Sequence, residues 1–322
     1  MPILKNALER IFHWFQENYP TAISSLAPGL SSSKIDEKLS DLPFQVSQEV
    51  RELYKWSNGL DEQIFDRKHL LSLDSAVQEA KAWVEEPYEE IAYMYKYEGK
   101  AIFPIFQIEG DYLAVVETNG EQEISPIVHL SHAGGTEIRL QYANLTAMML
   151  TIAESYETGG FFIHRNGYIE EDWNKYAAAY RNYNVGIAEL TFKRFLNIFS
   201  HDSSWQSVST LHNDLCTINS FEMEIPSNSL RTEVINILSN LLKDEQYDSG
   251  FTVILALEEL RAVHALIQGL KHPNNRVRSR TAFTLGKIKA FEAIEFVSQL
   301  LEDPDPIVQE AAQEAVEILR RQ

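Results

Sequence analysis

The chain has 322 residues, of which 44% are hydrophobic, and its 47 acidic and 28 basic residues give a formal net charge of −19 at pH 7. The length fits about two domains with packed cores, and the acidic balance argues against a nucleic-acid partner, because phosphate binding needs clustered Lys and Arg. A single cysteine, Cys216, excludes an internal disulfide framework and a metal site built from several thiolates.

The net charge has two interpretations: it keeps a protein soluble, and it also steers and retains a basic protein partner. The first twenty residues mix charged and apolar side chains and have no small-residue cleavage site, so they do not predict a signal peptide. No run approaches the roughly 18 apolar residues that span a bilayer. We therefore expect a cytoplasmic protein with no membrane partner.

Residues 1–200 predict an α+β unit, in which helices precede and follow an antiparallel sheet. Apolar residues at helical spacing favour helices at 3–17 and 47–56, with a Ser-, Pro- and Gly-rich loop between them. Asn58-Gly59 is expected to close the second helix, because glycine readily adopts the left-handed conformation of a helix end.

The period changes to that of strands between residues 91 and 142. Within this region Asn119-Gly120 is typical of a two-residue hairpin turn, and the segment TEIRLQY predicts a further strand. Helical patterns return in three segments of the first unit: 144–157, 170–183 and 187–199.

Residues 201–229 are polar and indicate either a linker or a degenerate first helix, and every segment from Leu230 onward has a helical pattern. Two stretches there repeat each other, since Pro273 corresponds to Pro304 with an offset of 304 − 273 = 31. The offset aligns apolar residues in six pairs: Val263/Ile294, Leu266/Val297, Leu270/Leu301, Val277/Val308, Leu285/Val316 and Ile288/Leu319. This period indicates an α-solenoid, a class that mostly presents extended faces to other macromolecules.

The repeated stretches, NNRVRSRTAFTLGKI and DPDPIVQEAAQEAVEIL, resemble HEAT repeats. The second helix of that family typically reads Val-Arg-x-x-Ala-x-x-x-Leu-Gly, and the second stretch departs from this pattern by having Gln in place of Arg. The first stretch follows it at Val277, Arg278, Ala282 (shifted by one place), Leu285 and Gly286. The resemblance covers residues 230–322 and implies a short all-α HEAT-like solenoid.

Three segments of the first unit resemble the SUKH superfamily, which is named after a fungal cell-wall-synthesis regulator and its bacterial relatives. They are LPFQVSQEVRELYKWSNGL (42–60), AIFPIFQIEGDYLAVV (101–116) and NLTAMMLTIAESYETGGF (144–161). The resemblance covers about residues 1–185 and implies a SUKH-like antiparallel sheet packed with helices. It also implies a largely non-enzymatic protein: bacterial members are immunity proteins that neutralise secreted toxins, and fungal members are regulatory scaffolds.

No motif points strongly to catalysis, and neither a cofactor nor a small-molecule substrate is expected. His129 and His132 are three residues apart, and a strand would send these positions to opposite faces. Surface or turn histidines are therefore expected at these positions and not a metal site. Asp111 follows a glycine, and a role in a turn is expected for it. If residues 201–229 were helical, His212 and Cys216 would be neighbours and a thiolate could form; an ordinary thiol is the simpler interpretation.

The predicted solenoid also contains a contrast of charge, because a basic unit precedes an acidic one. The basic residues are Arg276, Arg278, Arg280, Lys287 and Lys289. In one interpretation the two units neutralise each other, with Arg278 bridging to Asp303 or Asp305. In the other, the basic ridge is a docking face for an acidic partner, with Arg276, Arg280 and Lys287 as candidate contacts.

The leading hypothesis is a non-catalytic protein-binding module, specifically an immunity protein whose acidic face occludes a basic toxin. The candidate contacts lie in and beside a long loop predicted after Asn58-Gly59: Asp61, Glu62, Asp66, Glu85, Glu86, Glu89 and Glu90. One alternative is an intracellular regulatory scaffold. Another is a bilin lyase-like, chromophore-handling protein, because HEAT-like repeats of similar appearance occur in bilin lyases of phycobilisome systems.

Overall fold

A computed structural model describes residues 2–24, 26–60, 65, 68–86, 96–120, 124–132, 137–164, 167–201, 203–225, 228–244 and 250–321. The chain divides into two compact units, Met1–Ile187 and Ala188–Gln322. This division falls earlier than the boundary predicted at residue 200, so the helix predicted at 187–199 belongs almost entirely to the second unit. In the described ranges no helix combines the length and the apolar character needed to cross a membrane.

The first unit is α+β, as predicted, and its described residues include six helices besides the sheet. They are α1 (Pro2–Asn18), α2 (Ser32–Leu39), α3 (Gln48–Trp56), α4 (Leu73–Val84), α5 (Leu145–Thr158) and α6 (Trp173–Tyr183). Helix α3 ends as expected before Asn58-Gly59, but its cap is Ser57 in an extended conformation and not a left-handed glycine.

Helix α4 corrects the prediction of a long loop after Asn58-Gly59. The side chain of Ser72 caps this helix by accepting a hydrogen bond from the backbone N–H of Ser75, at 3.2 Å. The side-chain oxygen of Asn58 accepts another from the N–H of Leu73, at 2.9 Å. Helix α4 therefore begins where two polar side chains satisfy its first amides, and its apolar face is buried from Leu73 to Trp83.

The sheet of the first unit is antiparallel throughout. Its strands are β1 (His69–Leu70), β2 (Lys96–Tyr97), β3 (Lys100–Ile108), β4 (Asp111–Val116), β5 (Ile127–Ser131) and β6 (Glu137–Tyr142). The order is β1-β3-β4-β5-β6, with β2 also paired to β3. A separate two-stranded sheet pairs β7 (Phe161–Ile163) with β8 (Ile169–Glu171).

The tight turn of the sheet is not the predicted one. Strands β3 and β4 are joined by Glu109-Gly110, both with positive φ (47° and 96°), which is the pattern of a type I′ turn. Strands β4 and β5 pair as predicted, but β4 ends at Val116 and β5 begins at Ile127. The two-residue hairpin predicted at Asn119-Gly120 is therefore wrong, because the connection is longer.

A buried carboxylate fixes α3 to the start of α5. Glu49 is 4% exposed, and its side chain accepts hydrogen bonds from the backbone N–H groups of Leu145 (3.3 Å) and Thr146 (3.0 Å) and from the Thr146 hydroxyl. The first amides of a helix have no partner within the helix, and its positive end attracts an anion. Helix α5 in turn packs against α1 and α6, so Glu49 links the N-terminal helices to the helical layer of this unit.

The second unit is all-helical in its described residues. Its helices are α7 (Ile187–His201), α8 (Trp205–Ser220), α9 (Ser229–Lys243), α10 (Gly250–Glu259), α11 (Val263–Gly269), α12 (Asn275–Lys287), α13 (Ile294–Ser298) and α14 (Pro306–Arg320). Short 3-10 turns flank α13 at Phe291–Ala293 and Gln299–Glu302. Helix α8 occupies the stretch for which the sequence left a linker or a helix open, and α7 is joined to it by a buried ion pair between Arg194 and Asp214.

The sequence offset is also a structural repeat. Asn274 caps α12 by accepting from the N–H of Arg276, and Asp305 caps α14 by accepting from the N–H of Ile307, each at 2.9 Å. The two helices approach closely at Gly286, where an added Cβ would lie 2.8 Å from the Cα of Ala315. Only a glycine fits this contact without displacement of the backbone.

Candidate interaction surfaces

The predicted bridge between the two repeats is present. The Nε–H and one terminal N–H of Arg278 donate to the two carboxylate oxygens of Asp303, each at 2.8 Å, and this bidentate pair is mostly buried. The second terminal nitrogen of Arg278 donates to the backbone carbonyls of His272 and Pro273, each at 2.9 Å. Because the carboxylate accepts these bonds from Arg278, the pKa of Asp303 is lowered. Arg278 therefore has the internal role that the sequence suggested.

Arg280 has different surroundings. Its guanidinium carbon lies 5.1 Å from the ring centroid of Phe251 and 5.4 Å from that of Phe283, within the range of cation–π contacts. The two rings remain 47% and 40% exposed. Among the described residues no carboxylate forms an ion pair with Arg280. We call Phe251, Arg280 and Phe283 the aromatic–arginine patch.

The other two basic candidates lie on the same helix, α12. Arg276 is exposed in its first turn, and within the described part of the chain it has no ion-pair partner. Lys287, in the last turn, forms an ion pair with the buried carboxylate of Glu258 on α10. Of the three basic residues predicted to contact a partner, Lys287 is thus neutralised within its own unit, whereas no ion pair neutralises Arg276 or Arg280 among the described residues.

Most of the acidic candidates lie outside the described residues, namely Asp61, Glu62, Asp66, Glu89 and Glu90. Glu85 is exposed and forms the C-cap of α4, and Glu86 follows it, half-buried. Glu85 lines an open cleft of about 450 Å³ between α2 and α4, which the ion pair of Lys38 with Asp74 crosses. The cleft therefore offers mixed charge and not a uniformly acidic surface.

His129 and Asp111 meet on neighbouring strands of the sheet. The Nε2 of His129 lies 3.3 Å from a carboxylate oxygen of Asp111, whose other oxygen accepts from the backbone N–H of His132 at 2.9 Å. Asp111 thus supports the chain after β5, whereas the sequence predicted a role in the turn beside Gly110. Burial lowers the pKa of His129, an effect that exceeds the attraction of Asp111, and the charge of Arg139 lowers it further.

The depressed pKa of His129 predicts a loss of stability in acid. The unfolded chain binds this proton more readily than the folded protein, so the contribution is complete above the unfolded pKa of about 6.5 and is lost as the pH falls below it. We expect His129→Gln to have a smaller decrease in urea midpoint between pH 7.5 and 5.5 than the wild type. Parallel profiles for the two proteins would contradict this expectation.

Helix α8 brings together His212 and Cys216, which were expected to be neighbours if residues 201–229 were helical. The Sγ of Cys216 lies 3.4 Å from the Nε2 of His212, and both side chains are half-buried. Burial lowers the pKa of the His212 imidazole, against the opposing effect of Glu259 and Glu258. The helical spacing of four residues is the direct cause of this contact.

The comparisons with known proteins bear on the second unit. No curated protein matches the chain, and no family model of the SUKH superfamily matches it. HEAT repeats commonly mediate protein–protein interactions, which fits a protein partner. Residues 263–322, which contain α11 to α14, match the family model described as HEAT repeats, and this part of the predicted resemblance is confirmed.

Proposed function

We propose that the protein binds another protein without catalysing a reaction, and that the aromatic–arginine patch is a principal contact. The observation that carries this proposal is the position of Arg280 against two half-exposed phenylalanine rings in the second unit. Aromatic residues and Arg are enriched at the centres of interfaces and among the residues that dominate binding energy. The match to HEAT repeats supports the same assignment.

The charge of the patch indicates the chemistry of the segment it binds. Arg276 lies one helical turn before Arg280, so the two cations share one side of α12. Arg278 and Lys287 are already neutralised by Asp303 and Glu258. A partner segment with a carboxylate for the exposed cation and an apolar side chain for the rings is therefore the best fit.

The finer proposal concerns the first unit, which we assign to a SUKH-like immunity domain that occludes a basic toxin. Residues 1–187 contain 15 basic and 28 acidic residues, a net charge of −13, whereas residues 188–322 contain 13 and 19, a net charge of −6. The acidic excess is thus concentrated in the first unit. The three resembling segments include α3, the β3–β4 hairpin and α5, which supports the assignment.

Substitution of the patch should separate binding from folding. The wild-type chain is first used to capture a protein partner from the native host, and the partner is then purified. We expect this partner to bind Arg280→Ala roughly 30-fold more weakly than the wild type, because the loss of a binding hot spot costs about 2 kcal/mol. Phe291→Ala removes a half-exposed ring outside the patch and is the matched control. Equal affinities of wild type and Arg280→Ala, measured by calorimetry, would contradict the role of the patch.

The immunity assignment has its own test, because immunity genes sit directly downstream of toxin genes. The product of the preceding gene should be inhibited by the purified chain. Glu85→Lys with Glu86→Lys should slow association and reduce its salt dependence, since charges at an interface act mainly on the rate of encounter. If the preceding gene product neither binds nor loses activity, the regulatory scaffold replaces the immunity role while the patch test remains valid.

A further inference from the structure

Three side chains with metal-binding atoms converge in the second unit. One ligand atom of each of His212, Cys216 and Glu259 lies within 4.8 Å of the other two, and all three residues are half-buried. His212 and Cys216 come from α8, and Glu259 is the last residue of α10. Helices α8 and α10 pack against each other, so the cluster depends on their contact and not on one segment alone.

A fourth residue orients the carboxylate of this cluster. The side-chain amide of Asn219, on the same face of α8, donates to the backbone carbonyl of Glu259 at 3.0 Å and to its Oε2 at 2.6 Å. A hydrogen bond from an outer residue to a ligating carboxylate fixes its direction and is a common feature of metal sites. The other oxygen, Oε1, is not part of this hydrogen bond.

The separation between the sulfur of Cys216 and the imidazole nitrogen of His212 fits a small tetrahedral ion. Bonds of about 2.3 Å to sulfur and 2.0–2.1 Å to nitrogen at a tetrahedral angle place the two atoms about 3.5 Å apart. The observed separation of Sγ from Nε2 is 3.4 Å. Sulfur, imidazole nitrogen and carboxylate oxygen together are a ligand set that suits Zn²⁺, whereas Mg²⁺ and Ca²⁺ prefer oxygen alone.

Electrostatics favours a metal over a reactive thiol. A catalytic thiolate is stabilised by nearby positive charge, but the third group here is a carboxylate, which would repel it. Lys287, whose charge acts on His212, is already paired with Glu258 and so does not supply the positive charge that a thiolate needs. A divalent cation between the thiolate and the carboxylate neutralises both negative charges at once.

We propose that His212, Cys216 and Glu259 bind a zinc ion that joins α8 to α10, with Asn219 as the positioning residue. Three protein ligands leave a fourth coordination position for water or for a side chain of a partner. The ion would cross-link two helices that precede the matched HEAT repeats, and the binding free energy would add to the stability of the second unit. This inference uses none of the residues of the aromatic–arginine patch and does not depend on it.

Titration of the untagged, chelator-treated full chain with Zn²⁺ tests the proposal. We expect one ion per chain by calorimetry and a higher thermal midpoint for the second unit in the presence of Zn²⁺. With Co²⁺ as a probe, the thiolate should give a charge-transfer band in the near ultraviolet. Asn219→Ala should weaken Zn²⁺ binding by roughly 10- to 100-fold, as is typical for the loss of an outer-shell partner.

Two ligand variants and one control decide the result. Cys216→Ser should abolish the Co²⁺ charge-transfer band, and Glu259→Gln, which is nearly the same size, should lose stoichiometric Zn²⁺ binding. His264→Gln changes an exposed histidine on α11 and should bind Zn²⁺ as the wild type does. Absence of stoichiometric binding to the wild type, or binding that persists in both ligand variants, would overturn the site.

Discussion

Asp214→Ala is expected to destabilise the second unit by about 3–5 kcal/mol, the usual cost of removing one partner of a buried ion pair. A terminal N–H of Arg194 donates to the carboxylate of Asp214 at 2.7 Å, and the two side chains are only 6% and 2% exposed. The substitution leaves a buried guanidinium without this carboxylate. Urea unfolding followed by circular dichroism, with the transition of the second unit resolved by calorimetry, measures the effect.

The double variant Arg194→Met with Asp214→Leu is the informative companion. Buried ion pairs are often replaced by apolar residues of similar volume at little or no cost, because the charges no longer need desolvation. We expect it to be markedly more stable than Asp214→Ala. Glu189→Ala breaks the exposed pair of Glu189 with Lys193 and should change stability by less than about 1 kcal/mol. Similar losses for Asp214→Ala and Glu189→Ala would refute the importance of burial.

Glu49→Ala should destabilise the first unit by about 2–3 kcal/mol, since hydrogen bonds to a charged group contribute about 1.5–3 kcal/mol and the amides at the start of α5 would lose their acceptor. The backbone N–H groups of Leu145 and Thr146 both donate to this carboxylate. Glu49→Gln retains an acceptor but not the charge, and an intermediate loss is expected. Denaturant unfolding at pH 7 checks both values.

The control for this prediction is Glu9→Ala on α1. Glu9 is exposed and pairs only at the surface with Lys5, at 3.5 Å, so its removal should be nearly neutral. Wild-type stability in Glu49→Ala would mean that water or another side chain replaces the carboxylate at the start of α5.

The sequence predicted elements whose signals are local. The amphipathic pattern of α5 and the repeat offset that relates α12 to α14 were sufficient, because periodicity and caps arise within one segment. The same signals exist for α4, in Ser72 and the apolar positions from Leu73 to Trp83, but the prediction of a long loop after Asn58-Gly59 does not use them. The turn at Glu109-Gly110 was missed because Asn-Gly is the stronger statistical signal, although both residues of the real turn have positive φ.

The candidate surfaces were only partly predictable. The bridge from Arg278 to Asp303 could be anticipated, because the repeat stacks neighbouring units of opposite charge. The contact of Phe251 with Arg280 and the proximity of Glu259 to Cys216 could not, since α10 lies outside the clear repeats and its placement depends on tertiary packing. The signal that could have predicted the position of α10 is an alignment of its segment, as a third and degenerate repeat, with the other two repeats.

Gly286, which has no side chain, has a geometric consequence for the repeats. Consecutive units of a solenoid are related by a small rotation, and these rotations accumulate into the curvature of the array. At Gly286 the backbone of α12 lies against Ala315 of α14 with no room for a methyl group. A single added carbon would push α12 and α14 apart, and it would change the angle between these two units without altering any exposed side chain.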